Sequence, residues 1–311
     1  MSIEQPSVPP FIAGLWRRFG AFILDCTLLG ILGVAAGSFF VDELVTIGPW
    51  GRLLGFAVAL TYFGMLNSRL ANGQTIGMRL LKVRVVGADG VSLSLSRSLL
   101  RFLPLGAPWF LNNAQFSTSV LLSPWLYVLS VAVFGLGLSI IYLYFFNRRS
   151  RQSIHDLLVG SYVVPAAATG AVSTAPVWRP HFIVCALLIL AAAVLPYLTK
   201  DLAASEPFAS LMNTYQAVSA EPGVVYAKIN KGKSYSGQNE TKYMNVVAHL
   251  DAPDIDNAER AKSLAARILA TDASTLTLDI VQVTLVYGYD IGIASSWRSQ
   301  NYVHAPAEWA K

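Results

Sequence analysis

The 23 residues Pro124–Phe146 read PWLYVLSVAVFGLGLSIIYLYFF and contain no charged side chain. At about 1.5 Å per residue, a helix of that length covers the ~30 Å hydrocarbon core of a bilayer. This stretch makes the chain a membrane protein, and comparable runs lie on either side. Phe19–Val41 carries a single acid, Asp25. Pro49–Asn67 carries Arg52 near its start, and His181–Thr199 carries no acid or base before Lys200. Composition agrees: 54% of the 311 residues are hydrophobic and 13% charged, with a mean hydropathy of +0.50. Soluble domains average about 25% charged residues, so roughly half the usual charge is missing. The polar, proline-rich first ten residues do not read as a cleavable signal, so the first apolar run is expected to direct insertion.

Charge sets the threading. Residues 1–199 hold 13 Lys/Arg against 6 Asp/Glu, and residues 200–311 hold 10 against 12. The basic excess sits in short segments beside apolar runs, which is the pattern of topology-setting loops and not of a nucleic-acid surface. Residues 68–101 carry six basic side chains against one acid, and residues 147–180 carry four against one. Both segments are expected on the cytoplasmic side, so the chain must cross an even number of times between them. That demands a crossing near 100–118, where Pro104 and Pro108 suggest a broken helix.

The expected fold is an all-α polytopic transmembrane helical bundle followed by a small soluble α+β domain. About five spans are expected, near 19–41, 49–67, 100–118, 124–146 and 181–199. A cytoplasmic β-hairpin is expected over 79–95, with Arg79–Val86 and Val91–Leu95 as its strands about a Gly87–Gly90 turn. Residues 166–180 are rich in Ala, Gly, Ser, Thr and Pro and read as a linker. Residues 200–311 form the α+β domain, placed outside the cytoplasm by the count of crossings. In it, 201–219 reads as a helix, and Val224–Ile229 and Tyr243–Leu250 as strands around a polar turn. Ala261, Leu264, Ala265, Ile268 and Leu269 share a helical face after a capping-box-like start at Asp256. Leu278–Tyr287 reads as a β-branched strand with a bulge at Ile280-Val281, and Gly288–Gly292 as a turn between strands.

Asp25 is the residue that most needs a reason. An acid near the centre of a spanning helix costs about 2.5–3.5 kcal/mol, so it is expected to face a polar cavity, a proton or a cation. Arg18 lies seven residues earlier, two turns down the same face, and is the expected ion-pair partner. Arg17 is rotated off that face by about 100°. Arg148-Arg149-Ser150-Arg151 follows the Pro124–Phe146 run, as topology-anchoring arginines do, but His155-Asp156 beside it adds an acid able to hold arginines or a cation.

Three stretches resemble the motifs of the RDD family of bacterial membrane proteins. Trp16–Asp25 (WRRFGAFILD) is similar to the opening signature. Gly73–Val86 (GQTIGMRLLKVRVV), followed by Asp89-Gly90, Arg97 and Arg101, is similar to the middle one, and Arg151–Gly160 (RQSIHDLLVG) to the closing one. The family's arginine and two aspartates fall on Arg18, Asp25 and Asp156, with Arg101, Arg151 and His155 as secondary candidates. Met78 stands where a lysine is more usual, and Gly20 also departs. The resemblance covers about 12–165 and implies a bacterial cytoplasmic (inner) membrane protein that moves a ligand, some members being linked to cation/proton exchange. The alternative is a scaffold or sensor whose tail binds an envelope partner.

Other classes find little support. Cys26 and Cys185 lie inside apolar runs, and His155, His181, His249 and His304 have no ligand-like spacing, so neither a disulfide framework nor a metal site is expected. No nucleophile elbow, zinc motif or phosphate-binding glycine loop is present, and the chain is expected to be no enzyme and to hold no cofactor. Trp297, Tyr302 and Trp309 are expected to serve as core or rim packing, with a peptide- or glycan-binding groove as the alternative. The expected partners are the lipid bilayer, further copies in a homo-oligomer and an envelope protein held by residues 200–311, with no nucleic acid.

Overall fold

A computed structural model describes residues 12–203, 205–237 and 239–309, so the proline-rich lead-in lies outside the described residues. In chain order the helices of the first part are α1 (Leu15–Phe39), α2 (Val41–Ile47), α3 (Gly51–Leu66), α4 (Ile76–Leu80), α5 (Leu95–Leu111), α6 (Thr118–Leu121), α7 (Trp125–Ser130), α8 (Leu136–Phe146), α9 (Ile154–Val159) and α10 (Pro180–Leu198). The strands β1 (Val83–Gly87) and β2 (Ser161–Pro165) lie among them. The second part contains α11 (Lys200–Ala203), α12 (Glu206–Ser219), β3 (Val224–Ser236), β4 (Asn239–Leu250), α13 (Ala258–Thr271), β5 (Ile280–Asp290), β6 (Ser295–His304) and α14 (Pro306–Trp309). Two compact units result. One is built from residues up to 33 with 52–197 and 292–294, the other from 34–51, 198–291 and 295–311.

Four helical stretches are long and apolar enough to cross a membrane: Leu15–Phe39, Val41–Leu66, Trp125–Phe146 and Pro180–Leu198. They match four of the expected spans. The Trp125–Phe146 stretch stays helical through a π-turn at Val131–Gly135. There Gly135 and Ser130 meet α10: a Cβ on Gly135 would lie 3.2 Å from the Ile189 backbone, and Ser130 Oγ donates to Ala192 O at 2.6 Å. Small residues and a hydroxyl at the contact are what helix pairs use in lipid, where apolar burial gives no net drive.

The fifth expected span corresponds to α5, with different bounds and no break. It is 17 residues long and continues through Pro104 and Pro108, starting on the Ser94 hydroxyl, which accepts from Arg97 N. Ser98, Arg101, Phe102, Gly106 and Phe110 are buried on one stripe, while Leu100, Leu103 and Trp109 on the other are exposed. The buried stripe joins Phe63, which stacks on Phe102 with ring centroids 5.0 Å apart, and Leu29 and Ala59.

The hairpin expected over 79–95 is corrected. The strand at Val83–Gly87 forms, but it pairs antiparallel with Ser161–Pro165, from Val83 opposite Pro165 to Gly87 opposite Ser161. The Val91–Leu95 stretch is not its partner, because Ser94 is taken up as the cap of α5 and Leu93 bridges to Ser68. The two-stranded sheet ties the middle of the domain to its end and buries Val83, Val85 and Val163 with Ala21 and Met78. Residues 166–179 contain neither helix nor strand.

The second unit is a four-stranded sheet in the order β3-β4-β5-β6, antiparallel except for the parallel β4–β5 pair. A parallel pair needs a crossover, and α13 supplies it. Met244, Val246 and Ala248 of β4 and Val281, Val283 and Leu285 of β5 alternate inward against Leu264, Ala265 and Ile268 of α13 and Val218 of α12. Trp309 closes this core, its Nε1 donating to Val281 O at 2.9 Å. Four expectations shift. The β3–β4 pairing runs on to Ser236 opposite Asn239, through most of the expected polar turn. The bulge lies between Val224 and Tyr226, not at Ile280-Val281, and β5 runs on through Gly288–Asp290. α13 is capped by Asn257, whose side chain accepts from Arg260 N, and not by Asp256. In the same unit α2 packs on β5, where Tyr287 donates to Asp42.

Candidate functional site

α1 carries two of the expected residues, and each is drawn to a different place. Asp25 lies about 15 Å from the first residue of the helix at about 1.5 Å per residue, and is 1% exposed. Its Oδ1 accepts from the Tyr62 hydroxyl of α3 at 2.6 Å and from Gly77 N at 2.8 Å, and its Oδ2 from Thr75 Oγ1 at 2.5 Å. Thr75 is the N-cap of α4 and accepts from Met78 N. Asp25 thus finishes the capping of a five-residue helix whose last two residues, Arg79 and Leu80, the sequence pattern places in a strand. The approach is close: a Cβ on Gly77 would collide with Ala21 O and lie 3.1 Å from Asp25 Cγ. Only glycine lets that backbone reach α1.

The expected Arg18–Asp25 pair does not form. Arg18 turns to α9, where its Nη2 meets Asp156 Oδ2 at 2.7 Å and its other terminal nitrogen donates to Arg151 O. Seven residues put Arg18 and Asp25 on one face, but two turns of helix separate them by about 10 Å, and Asp156 lies nearer the guanidinium. Arg101 of α5 approaches Asp156 Oδ1 with Nη2 at 2.8 Å and Nε at 2.9 Å. Ser161 Oγ donates to the same oxygen at 3.0 Å, and Ser153 N reaches Oδ2 at 3.4 Å as the N-cap amide of α9. Asp156 is fully buried, and Arg18 and Arg101 nearly so. One carboxylate therefore binds α1, α5, α9 and the start of β2 together.

Of the secondary candidates, Arg101 is a direct member of this cluster. Arg151 enters through its carbonyl, held toward Arg18 by a backbone at φ +53°, while its guanidinium reaches Ala13 O at 3.4 Å. His155 Nε2 lies 3.4 Å from Asp156 Oδ2, and its Nδ1 has no hydrogen-bond partner among the described residues. Burial pushes the His155 pKa down to about 3, with Arg101 and Arg18 adding to that and Asp156 opposing it. Burial alone would raise the Asp156 carboxyl, but His155, Arg101 and Arg18 outweigh it and hold it well below the usual carboxylate range.

Tyr62, Thr75, Gly77 and Ser161 were not singled out from the sequence. Thr75-Ile76-Gly77 carried a usable signal, a capping residue followed by a glycine inside the middle motif. Tyr62 carried none, because a tyrosine in an apolar run looks like any other.

Comparison with known proteins places this geometry. Residues 12–160 match the family model described as RDD family. The chain is 25% identical over 166 residues to the uncharacterized protein YckC of Bacillus subtilis (strain 168), covering 53% of this chain and 89% of that one. No solved structure matches. The opening, middle and closing stretches quoted above meet at the two buried carboxylates, and residues 12–160 of this membrane protein are an RDD family domain.

Proposed function

We propose that the RDD domain carries a proton or a small cation across the bilayer, with Asp25 as the group that takes it up. One observation supports this above others. Asp25 lies deep in a spanning helix and, among the described residues, all its hydrogen-bond donors are neutral, while Arg18 is committed to Asp156. A buried acid without a basic partner in a membrane is a common mark of an ion or proton path. The Tyr62 and Thr75 hydroxyls each have lone pairs as well as a proton, so they can donate to the bare carboxylate or turn and offer oxygen to a cation beside it. In this reading α5 crosses the bilayer, the N-terminus and both basic loops are cytoplasmic, and residues 200–311 lie outside a bacterial cytoplasmic membrane. The charge bias of the loops supports that orientation. Five spans are few for a path, so a homo-oligomer belongs to the reading, and no catalysed reaction does.

A second reading rests on the packing of α2 against β5 and the Tyr287–Asp42 bond. The connection between the first two spans is held by the soluble domain's sheet, as suits a sensor or scaffold whose tail binds an envelope partner. Flux separates the two. In proteoliposomes loaded with a pH-sensitive dye, Asp25→Asn should abolish cation-driven proton movement while the melting temperature stays close to the parent's. Equal flux in both proteins would remove Asp25 from any path and leave the sensor reading.

A further inference from the structure

The helices α12 and α13 cover one face of the four-stranded sheet, and the residues facing the other way form a surface with its own chemistry. Across the strands the registers place Asn245 opposite Gln282, and Thr284 opposite Asn301. Their side chains are joined: Thr284 Oγ1 donates to Asn301 Oδ1 at 2.9 Å, and Gln282 Nε2 to Thr284 Oγ1 at 3.1 Å. Asn301 is exposed and Asn245 half-exposed. The amide nitrogens of both donate to no protein acceptor among the described residues, and they lie where a ligand's oxygens could meet them.

One step along the strands the same face carries rings. Tyr226 and His249 lie opposite each other and stack with centroids 4.0 Å apart, and Trp297 meets His249 edge-on at 4.9 Å. Trp297 is 40% exposed. His249 is 7% exposed, and its Nδ1 has no partner among the described residues. The charge on this face is sparse, Lys228 being the base between the two patches and Asp290 the acid at its margin.

We infer that this sheet face binds a neutral glycan chain. A sugar ring offers an apolar face of C–H groups, which packs on Trp297 and Tyr226, and a rim of uncharged hydroxyls, which both donate and accept as amides and hydroxyls do. Neighbouring strands are about 4.8 Å apart, so the row from Asn245 to Asn301 runs about 10 Å across three strands, enough to follow about two sugars of one chain. A nucleic acid would need several Lys or Arg for its phosphates, and a single lysine does not supply them. An extended peptide would pair with a sheet edge and not lie on its face. The occupant is thus fixed by matched polarity with almost no charge. The inference is independent of whether the membrane domain transports.

The full-length protein in detergent, titrated with chitohexaose, cellohexaose and maltohexaose while tryptophan fluorescence and heat are followed, tests this. At least one of the three should bind saturably, and Trp297→Ala and the double variant Asn245→Ala/Asn301→Ala should each weaken it by about tenfold. Anionic polygalacturonate should not compete. Both variants sit at exposed or half-exposed positions, and unchanged melting temperatures establish that they fold. Binding to none of the three neutral chains, binding that Trp297→Ala leaves intact, or binding of the polyanion alone would each overturn the inference.

Discussion

Asp156 meets two guanidinium groups in a fully buried cluster, whereas Asp25, also buried, meets two hydroxyls and one backbone amide. Every oxygen of both carboxylates accepts at least one hydrogen bond, so neither is a defect. They differ in charge. The Asp156 cluster holds two arginines and one acid in a small volume, and its geometry is over-determined by contacts from four elements. The Asp25 carboxyl is met by two hydroxyls and an amide alone, with no basic side chain among its hydrogen-bond donors in the described residues. Within one domain, one carboxylate is thus held by opposite charges and the other by dipoles.

The largest expected effect is on the fixed site. Asp156→Ala leaves Arg18 and Arg101 buried without their partner, and breaking a buried pair in this way costs about 3–5 kcal/mol. Thermal unfolding in detergent should show a strongly lowered midpoint, or too little folded protein to measure. Adding Arg101→Met should restore part of the loss, since it removes one orphaned charge and refills its volume with apolar atoms. A midpoint for the single variant near the parent's would mean that Asp156 is not the knot described.

Much of this contrast could be read from the residues beforehand, and part could not. The four long apolar stretches declare themselves, since twenty apolar residues in a row have few other uses. Arg18, Asp25 and Asp156, which the motifs single out, are all buried and each meets polar partners. Their pairing was not legible, because residues seven apart on a helix suggest a partner by direction, while the true partner of Arg18 comes 138 positions later. The same limit explains the strand at Val83–Gly87: its local pattern was legible, but its partner at Ser161–Pro165 was hidden by distance along the chain. The bounds of β6, the strand beyond the expected Gly288–Gly292 turn, were not legible for another reason. Ser295–His304 is polar on both faces because it edges the sheet, and alternation is a signal only where one face is buried.

Acid sharpens the comparison next. His155 is kept neutral beside Asp156, Arg18 and Arg101, with its pKa pushed down to about 3 by burial. In the unfolded chain it takes a proton near pH 6.5. Below that value the unfolded state binds more protons, so stability falls with pH until the folded group also titrates near 3. At pH 5 the loss from this residue is at most about 2 kcal/mol. Asp156 adds nothing to the slope there, because its depressed pKa keeps it ionised in the folded state and its contribution is lost only below the ordinary carboxylate range. His249, also pushed down to about 3 by burial, acts with the same sign in the other unit. His155→Gln should therefore flatten, without abolishing, the fall in melting temperature between pH 7 and 5, and an unchanged slope would place His155 charged in the fold.

Gly77→Ala probes the other site. The added Cβ collides with Ala21 O, so α4 must retreat from α1 and both hydrogen bonds from Thr75 and Gly77 to Asp25 lengthen. Overpacking of this kind costs about 1–3 kcal/mol. Gly14→Ala is the matching control in the same domain, since its nearest neighbour is the mobile end of Arg151 at 3.6 Å. Equal melting temperatures for the two variants would show that α4 is free to move and that Asp25 does not depend on it.

The smallest effect separates the adjacent arginines at the start of α1. Arg17 and Arg18 are chemically identical and one residue apart, yet the helix turns about 100° between them. Arg18 is carried into the domain against Asp156 and over the ring of Tyr144 at 5.4 Å, while Arg17 stays exposed. Arg17→Ala should change stability by no more than about 0.5 kcal/mol, as substitutions at exposed positions do. Arg18→Ala removes one of two positive partners from a buried carboxylate and should cost several times more. Were the two variants to melt alike, the direction in which α1 presents its first turn would be wrong, and with it the placing of Asp25 toward α3 and α4, since both side chains ride on the same rigid helix.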